Sequence, residues 1–227
     1  MFDRLLKIIT EEELKKLEKS SVLIVGIGGV GGHAAEALAR SGIGRIILID
    51  HDKVEISNKN RQLVALDSTL NQEKVQVLKE RLEDINPNCE VVTHDLFLEE
   101  GNIELILQEN PSFVIDACDT ISTKKEIIKL CLKEKINLIT SMGMGNRIDP
   151  SKLMIADIRK VEGDPLAKIL KKWLKTEKIN SKIKALYSQE LAVKTKDKTP
   201  GSSAFVPPAA GLMLASYVFK EIIKKEL

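Results

Sequence analysis

Short apolar runs alternate with amphipathic or alanine-rich segments along the first two thirds of the chain. The apolar runs predict buried strands, and they span residues 21–26, 45–50, 90–93, 113–117 and 137–140. The segments between them predict helices over residues 10–19, 33–39, 73–85, 103–108 and 123–135. Thr10, followed three residues later by Glu13, is typical of the capping box that begins a helix.

This alternation predicts parallel strands joined by crossover helices, which is a Rossmann-like α/β fold with a mostly parallel sheet and flanking helices. The regular alternation of strands and helices ends after Gly145, where we expect a C-terminal extension of strands and a helix. The pattern there predicts a strand at 153–159, a basic helix at 165–175, an exposed loop at 195–203 and a closing helix at 209–225. The length of 227 residues fits a single domain with two halves, about 1–145 and about 146–227.

Composition narrows the class of protein. No apolar stretch approaches the roughly 20 residues of a membrane span, and the first residues do not form a secretory signal. The three cysteines, Cys89, Cys118 and Cys131, are scattered and form no CxxC pair, so neither a zinc site nor a disulfide framework is indicated. We therefore expect a cytoplasmic protein that does not bind zinc or a membrane.

The formal net charge of +2 does not by itself indicate nucleic-acid binding, but the lysines are unevenly distributed. Residues 168–184 hold seven lysines and one acid, Glu177, and Lys194, Lys196 and Lys198 follow. One interpretation is a solvated helix face. The other is a patch that contacts the phosphates of an RNA.

A glycine-rich loop lies between the first predicted strand and the next helix, in the order Gly26-Ile-Gly28-Gly29-Val-Gly31-Gly32. Such a loop lets the backbone approach a phosphate, and the helix N-terminus supplies free N–H groups. Asp50 ends the second strand, where a dinucleotide-binding fold places the acid that bonds ribose hydroxyls. These features predict a nucleotide site, and alone they are those of an ordinary NAD-binding domain.

The polar residues after Asp50 favour a triphosphate over NAD. Residues 57–62, Ser-Asn-Lys-Asn-Arg-Gln, combine amides, a hydroxyl and two cations, and Lys74 and Asp119 follow later. Cations neutralise charge during phosphoryl or adenylyl transfer, and a carboxylate can hold magnesium. Taken singly, Lys74 fits a surface lysine and Asp119 a helix N-cap. Together they fall at the edge where open sheets bind ligands.

The order of these motifs resembles the ThiF/HesA/MoeB family, the bacterial relatives of ubiquitin-activating enzymes, over about residues 2–145. The resemblance implies that ATP and Mg²⁺ are bound, with Asp119 on the metal. It assigns catalytic roles to Arg61, Lys74, Asp119 and Arg4. It assigns nucleotide binding to Gly26, Gly28, Gly29, Gly31, Asp50, Asp52, Ser57, Asn58, Asn60, Arg61, Lys74 and Asp119.

Phe2-Asp3-Arg4 resembles the family's N-terminal aromatic-x-Arg, whose arginine enters the partner subunit's site. This resemblance implies a homodimer. A sulfur-relay protein is a further candidate partner.

The second half resembles those members of the family that dehydrate threonylcarbamoyladenosine beside the anticodon of tRNA, which implies a half that faces the tRNA and the dimer partner. The matching segments are residues 143–150, 164–166, 187–190 and 201–211. The implied reaction adenylates the threonyl carboxylate, releases pyrophosphate, and closes a ring with loss of AMP. No enzyme nucleophile is required, in keeping with the lack of a positioned cysteine.

Two alternatives stay open. Within the family, the chain could adenylate the C-terminal glycine of a ubiquitin-like sulfur carrier, although such enzymes usually carry paired CxxC zinc ligands and often Arg where this chain has Lys124. Outside the family's chemistry, it could be a NAD-binding oxidoreductase or a nucleotide sensor, which would not need Arg61 or Lys74.

Overall fold

A seven-stranded sheet forms the centre of the structure, a computed structural model that describes residues 1–195 and 199–224. The strands are β1 (Ser21–Val25), β2 (Arg45–Asp50), β3 (Glu90–Asp95), β4 (Phe113–Asp116), β5 (Asn137–Ser141), β6 (Leu153–Asp157) and β7 (Lys184–Ser188). Their order across the sheet is β3-β2-β1-β4-β5-β7-β6. All neighbours are parallel except β6, which is antiparallel to β7. The predicted Rossmann-like class is confirmed.

Seven α-helices accompany the sheet in the described part of the chain. They are α1 (Glu11–Glu18), α2 (Gly31–Arg40), α3 (Lys74–Ile85), α4 (Leu105–Glu109), α5 (Ile121–Glu134), α6 (Pro165–Thr176) and α7 (Val206–Ile223). The capping box forms as predicted, since Thr10 Oγ1 accepts from the Glu13 N–H and the Glu13 carboxylate accepts from the Thr10 N–H. Every predicted helix is present, with ends that differ by a few residues.

Three details of the second half differ from the sequence prediction. Strand β6 ends at Asp157, because the Asp157 carboxylate accepts the Arg159 N–H and begins a 3₁₀ turn. Helix α7 begins at Val206 and not at the predicted residue 209, because Pro207 and Pro208 lie in its first turn, where proline is well tolerated. Its predicted end, Lys225, lies outside the described residues. The sequence pattern did not predict β7, whose apolar residues lie within a lysine-rich segment.

Alternate residues of the central strands face opposite layers. Val22 and Ile24 pack in a core with helices α1, α2, α3 and α7, whereas Leu23 and Val25 pack with α4 and α5. A third cluster, around Trp173, fills the space between α5, α6 and the far end of the sheet. Both faces of the parallel strands are therefore covered, which explains their continuous apolar sequence.

Helix α7 has the length and apolar composition of a short membrane span, contrary to the sequence expectation that no segment approaches one. Its residues Val206, Ala210, Leu214 and Val218 are nevertheless completely buried in the core. Core helices of soluble proteins meet the same length and composition criteria, so this helix is weak evidence for a membrane.

The sheet reverses its order next to β1, which pairs with β2 on one side and with β4 on the other. The connections that leave β1 and β4 therefore diverge, and a crevice opens between their carboxyl ends. Open α/β sheets bind ligands at such a point.

Candidate active site

A cavity of about 290 Å³ opens at the carboxyl ends of β1, β2 and β4. This size is at the lower end of the range for small-molecule pockets. Nine of the predicted site residues line it: Gly26, Gly28, Gly29, Asp50, Asp52, Asn58, Arg61, Lys74 and Asp119. Segments that are distant in sequence thus meet where the sequence argument placed them.

Two glycines give the loop its path. Gly26 has φ of +89°, and a Cβ there would lie 2.8 Å from the Ala117 carbonyl oxygen. A Cβ on Gly31 would lie 1.8 Å from the Gly26 carbonyl oxygen. Gly31 does not line the cavity. Its lack of a side chain allows the start of α2 to pack closely against the glycine loop.

Helix α2 points its N-terminus toward the cavity, and its N-cap residue, Val30, makes no side-chain capping bond. The N–H groups of the first turn therefore lack a side-chain acceptor at the cap. Together with the positive end of the helix dipole, they form a suitable environment for phosphate oxygens.

Asp50 joins the glycine loop to the end of β2. Its Oδ2 accepts the Ile27 N–H at 2.5 Å, and its Oδ1 accepts the Asp52 N–H at 2.8 Å. A carboxylate offers about four acceptor positions, so Asp50 keeps capacity for a ribose hydroxyl. The neighbouring His51 and Asp52 lie close enough to share a metal with Asp50, but the Asp52 carboxylate is already paired with a lysine.

That lysine is Lys74, which is only 4% exposed. Its Nζ lies 2.7 Å from Asp52 Oδ2, and its backbone N–H donates to the Asp52 carbonyl at 3.1 Å. Lys74 is therefore not a surface lysine. An ammonium held in the wall of the cavity is positioned to neutralise a phosphate.

Arg61 lines the cavity beside the glycine loop. Its Nη1 donates to the Ser57 carbonyl at 2.8 Å and to Asn60 Oδ1 at 2.9 Å. Ser57 and Asn60 do not line the cavity, and the structure places them as supports of the guanidinium. Buried Asn58 holds the same turn through its Oδ1, which accepts the Glu55 N–H at 3.1 Å.

Asp119 lies exposed in the segment that follows β4, and it lines the cavity. The N-cap of α5 is Thr120, so Asp119 is not the helix cap considered from sequence. No cation lies within ion-pair distance of its carboxylate among the residues that the structure describes. The donor fits Mg²⁺, which prefers carboxylate and phosphate oxygens.

Other residues that were not assigned to the site from sequence also line the cavity. His51 and Phe97 line it and contact each other edge to face, with ring centroids 4.9 Å apart. Gln62 also lines it, and its buried Oε1 has no hydrogen-bond partner in the described part of the chain. Gln62 could have been predicted from its place at the end of the polar segment 57–62. No local sequence pattern predicts a role for Phe97.

Cys118 borders the cavity next to Asp119. Its Sγ lies 3.1 Å from Asp116 Oδ1. Burial, and then the neighbouring Asp116 carboxylate, raise the pKa of the Cys118 thiol well above its ordinary value. The thiol is therefore protonated at neutral pH and a poor nucleophile.

Four segments of the second half converge on the loop after β5. Arg147 Nη2 lies 3.3 Å from Asp164 Oδ2, and Arg147 Nε donates to the Glu190 carbonyl at 3.2 Å. Asn146 Oδ1 accepts the Gly201 N–H at 2.6 Å. Asn60 Nδ2 donates to the Ser202 carbonyl at 2.9 Å, which ties this cluster to the polar segment of the cavity.

Two other groups predicted from sequence lie away from the cavity. Arg4 is exposed before the 3₁₀ turn Leu5–Lys7 and does not line its own chain's cavity. The seven lysines between residues 168 and 184 lie on and after α6. Lys196 and Lys198, which follow them in sequence, lie outside the described residues.

Known proteins match this chain over almost its whole length. The sequence profile of the ThiF family matches residues 2–225. The tRNA threonylcarbamoyladenosine dehydratase of Bacillus subtilis is 42% identical, over 95% of this chain and 92% of that protein. The E. coli tRNA N6-threonylcarbamoyladenosine dehydratase TcdA in complex with AMP has a TM-score of 0.91 at 35% identity, covering 96% of this chain and 92% of that one. Its complex with ATP has a TM-score of 0.92, covering 98% and 93%.

Proposed function

The chain belongs to the ThiF family, and we propose that it catalyses the ATP-dependent dehydration of threonylcarbamoyladenosine beside the anticodon of tRNA, through an adenylated carboxylate. The observation that carries the proposal is the convergence of the glycine loop, Lys74, Arg61 and Asp119 on one cavity. The relative from Bacillus subtilis and the E. coli structures with ATP and AMP support the same activity.

Different residues of the cavity bind the phosphates, the ribose and the base of the nucleotide. The glycine loop and the N-terminus of α2 bind phosphates, and Asp50 binds a ribose hydroxyl. Apolar wall residues such as Phe97 contact the base. Arg61 and Lys74 lie on the phosphate side, where they neutralise the charge that builds up during adenylyl transfer.

Asp119 is the residue proposed to hold Mg²⁺, because its carboxylate is exposed in the cavity and carries no cation partner among the described residues. When bound, the ion supplies charge neutralisation for the phosphates of ATP. Lys74 is paired with Asp52, and a bound phosphate provides a second anionic partner for the same ammonium.

The chemistry has two steps. An oxygen of the threonyl carboxylate attacks the α-phosphorus of ATP and pyrophosphate leaves. A nucleophile of the same modified group then attacks the activated carbonyl and AMP leaves, so that the net loss is one water. The enzyme's contribution is alignment and charge stabilisation, and the protonated Cys118 thiol forms no bond to the substrate.

The assembly and location are also proposals. Residues 1–227 form one adenylating domain, because strands of both halves share one sheet. The exposed position of Arg4 is compatible with a homodimer in which it enters the partner's site. We place the protein in the cytoplasm without zinc or a membrane role, and a sulfur-relay protein is a candidate partner.

The proposal is tested by incubating the purified chain with Mg·ATP and tRNA that carries the linear nucleoside. We expect release of AMP and pyrophosphate, and conversion of the nucleoside to its cyclised form in nucleoside analysis by mass spectrometry. AMP release with a ubiquitin-like sulfur carrier, but none with tRNA, would support the sulfur-carrier alternative. Thermal stabilisation by NAD and not by ATP would favour the oxidoreductase.

A further inference from the structure

Helix α6 carries a lysine stripe, which we define as Lys168, Lys171, Lys172 and Lys175. These positions have the i, i+3, i+4, i+7 spacing that places side chains on one face of a helix. The opposite face is buried through Ala167, Leu170, Trp173 and Leu174. The helix contains no acidic residue between its first and last positions.

The charges of the lysine stripe are not compensated by carboxylates of the described residues. In the part of the chain that the structure describes, no carboxylate pairs with any of its four lysines. Lys171 donates instead to the Val161 carbonyl at 2.7 Å, and Lys168, Lys172 and Lys175 are exposed. Like charges at this spacing repel each other, so an anionic partner would relieve an unfavourable interaction.

Two exposed lysines of neighbouring α5 are paired with carboxylates, unlike those of the lysine stripe. Lys129 Nζ lies 3.1 Å from Glu126, and Lys133 Nζ lies 3.2 Å from Glu134. Lys125 forms no such pair with a described residue. Its Nζ lies 5.8 Å from the centroid of the Trp173 ring, which extends the positive surface from α6 onto α5.

This surface begins at the edge of the sheet that holds the cavity. Asp164 caps α6 and pairs with Arg147, which donates to the Gly143 carbonyl just beyond β5. On α5, Thr123 lines the cavity, and Lys125 lies about 3 Å further along the helix axis. The lysines thus lead away from the cavity along two adjacent helices.

We propose that Lys125 and the lysine stripe bind the sugar–phosphate backbone of the tRNA whose modified nucleoside enters the cavity. This inference rests on the proposed function. Phosphate contacts position an RNA, while the reacting nucleoside is taken from an unpaired loop. A row of ammonium groups that leads away from the cavity suits a continuous chain of phosphates better than a single anion.

The test compares K168Q/K172Q with K15Q/K19Q, a control that removes the same charge from exposed lysines on and just after α1 that pair with no described carboxylate. For K168Q/K172Q we expect the Kd for precursor tRNA to rise about tenfold at low salt. The slope of log affinity against log salt should fall in magnitude by about 1.4 to 1.8. The KM for tRNA should rise in parallel, while the KM for ATP and kcat at saturating tRNA stay at the parent values. K15Q/K19Q should match the parent in all of these.

If the parent converts the nucleoside and the two variants bind tRNA equally well, the inference is overturned and the proposed function stays intact. Unchanged tRNA binding with lost affinity for an acidic protein would also overturn it, and would make the surface a protein-docking site. If the parent itself neither binds nor converts the tRNA, both proposals are wrong.

Discussion

The Lys124 ammonium lies 3.0 Å from both carboxylate oxygens of Asp116, and both side chains are completely buried beneath the candidate active site. Lys124 Nζ also donates to Thr140 Oγ1 at 3.2 Å and to the Ser141 carbonyl at 2.9 Å. This network joins the ends of β4 and β5 directly below the segment that carries Asp119. It therefore supports the wall of the cavity without contacting the nucleotide site itself.

The buried pair predicts a large stability loss when one partner is removed. Lys124→Met leaves Asp116 as an unpaired buried charge, so we expect the free energy of unfolding to fall by about 3–5 kcal/mol. Urea denaturation followed by circular dichroism measures this change. Combining Lys124→Met with Asp116→Leu should destabilise less than the single change. A single variant with the parent's urea midpoint would contradict the prediction.

Lys74→Met tests the cation in the wall of the cavity. Since the ammonium stabilises charge in the transition state, we expect kcat for AMP release to fall by about 10²–10³-fold. Lys79→Met removes a more exposed lysine from the same helix and should retain normal turnover. Equal turnover of the Lys74 and Lys79 variants, with both folded by circular dichroism, would show that Lys74 has another role.

Asp119→Asn tests the proposed metal ligand. Loss of one carboxylate charge should raise the Mg²⁺ concentration needed for half-maximal pyrophosphate release, and turnover should recover in part at high Mg²⁺. Asp95→Asn is the matched control, because Asp95 is exposed at the end of β3 but does not line the cavity. If Asp119→Asn needs no more Mg²⁺ than the control, the metal is held elsewhere.

The cysteines are expected to be unreactive. Burial raises the pKa of Cys89 to about 11 and that of Cys131 to about 12, and the pKa of Cys118 is also raised well above its usual value. Alkylation by iodoacetamide at pH 8 should therefore be slow at all three sites in the folded protein. Cys118→Ser should reduce turnover by less than about tenfold, whereas loss of a covalent nucleophile costs about 10⁶-fold. A trapped thioester at Cys118 would refute the mechanism.

Glu36 gives a prediction for pH. Burial alone raises the pKa of its carboxyl, but hydrogen bonds from Arg81 at 2.6 Å and Arg40 at 2.8 Å outweigh burial, and the net pKa is lowered. A lowered folded-state pKa gives stability that is present above the ordinary value of 4.5 and lost as the pH falls through the folded-state value. The parent should thus exceed Glu36→Gln in urea midpoint at pH 7, and the difference should shrink below pH 4. A constant difference would exclude this linkage.

The sequence by itself determined the elements with a strong local pattern. The apolar strands and the capping box at Thr10 follow from the spacing of neighbouring residues, and the glycine loop was recognised by its place between a strand and a helix. Asp50 ends β2, Asp119 follows β4 and Lys74 begins α3. The sequence placed Asp50 and Asp119 together because the carboxyl ends of parallel strands share an edge.

Tertiary structure decided what each of these side chains contacts. Local pattern did not predict β7, because it forms a strand by pairing with β5 and β6. It did not show that Lys124 is buried, since its partners come from β4 and β5. It did not separate Arg61, which lines the cavity, from Asn60, which supports it. The reason is physical: periodicity is set by residues within one or two turns of each other, whereas burial and ion pairing depend on residues that only the folded chain brings together.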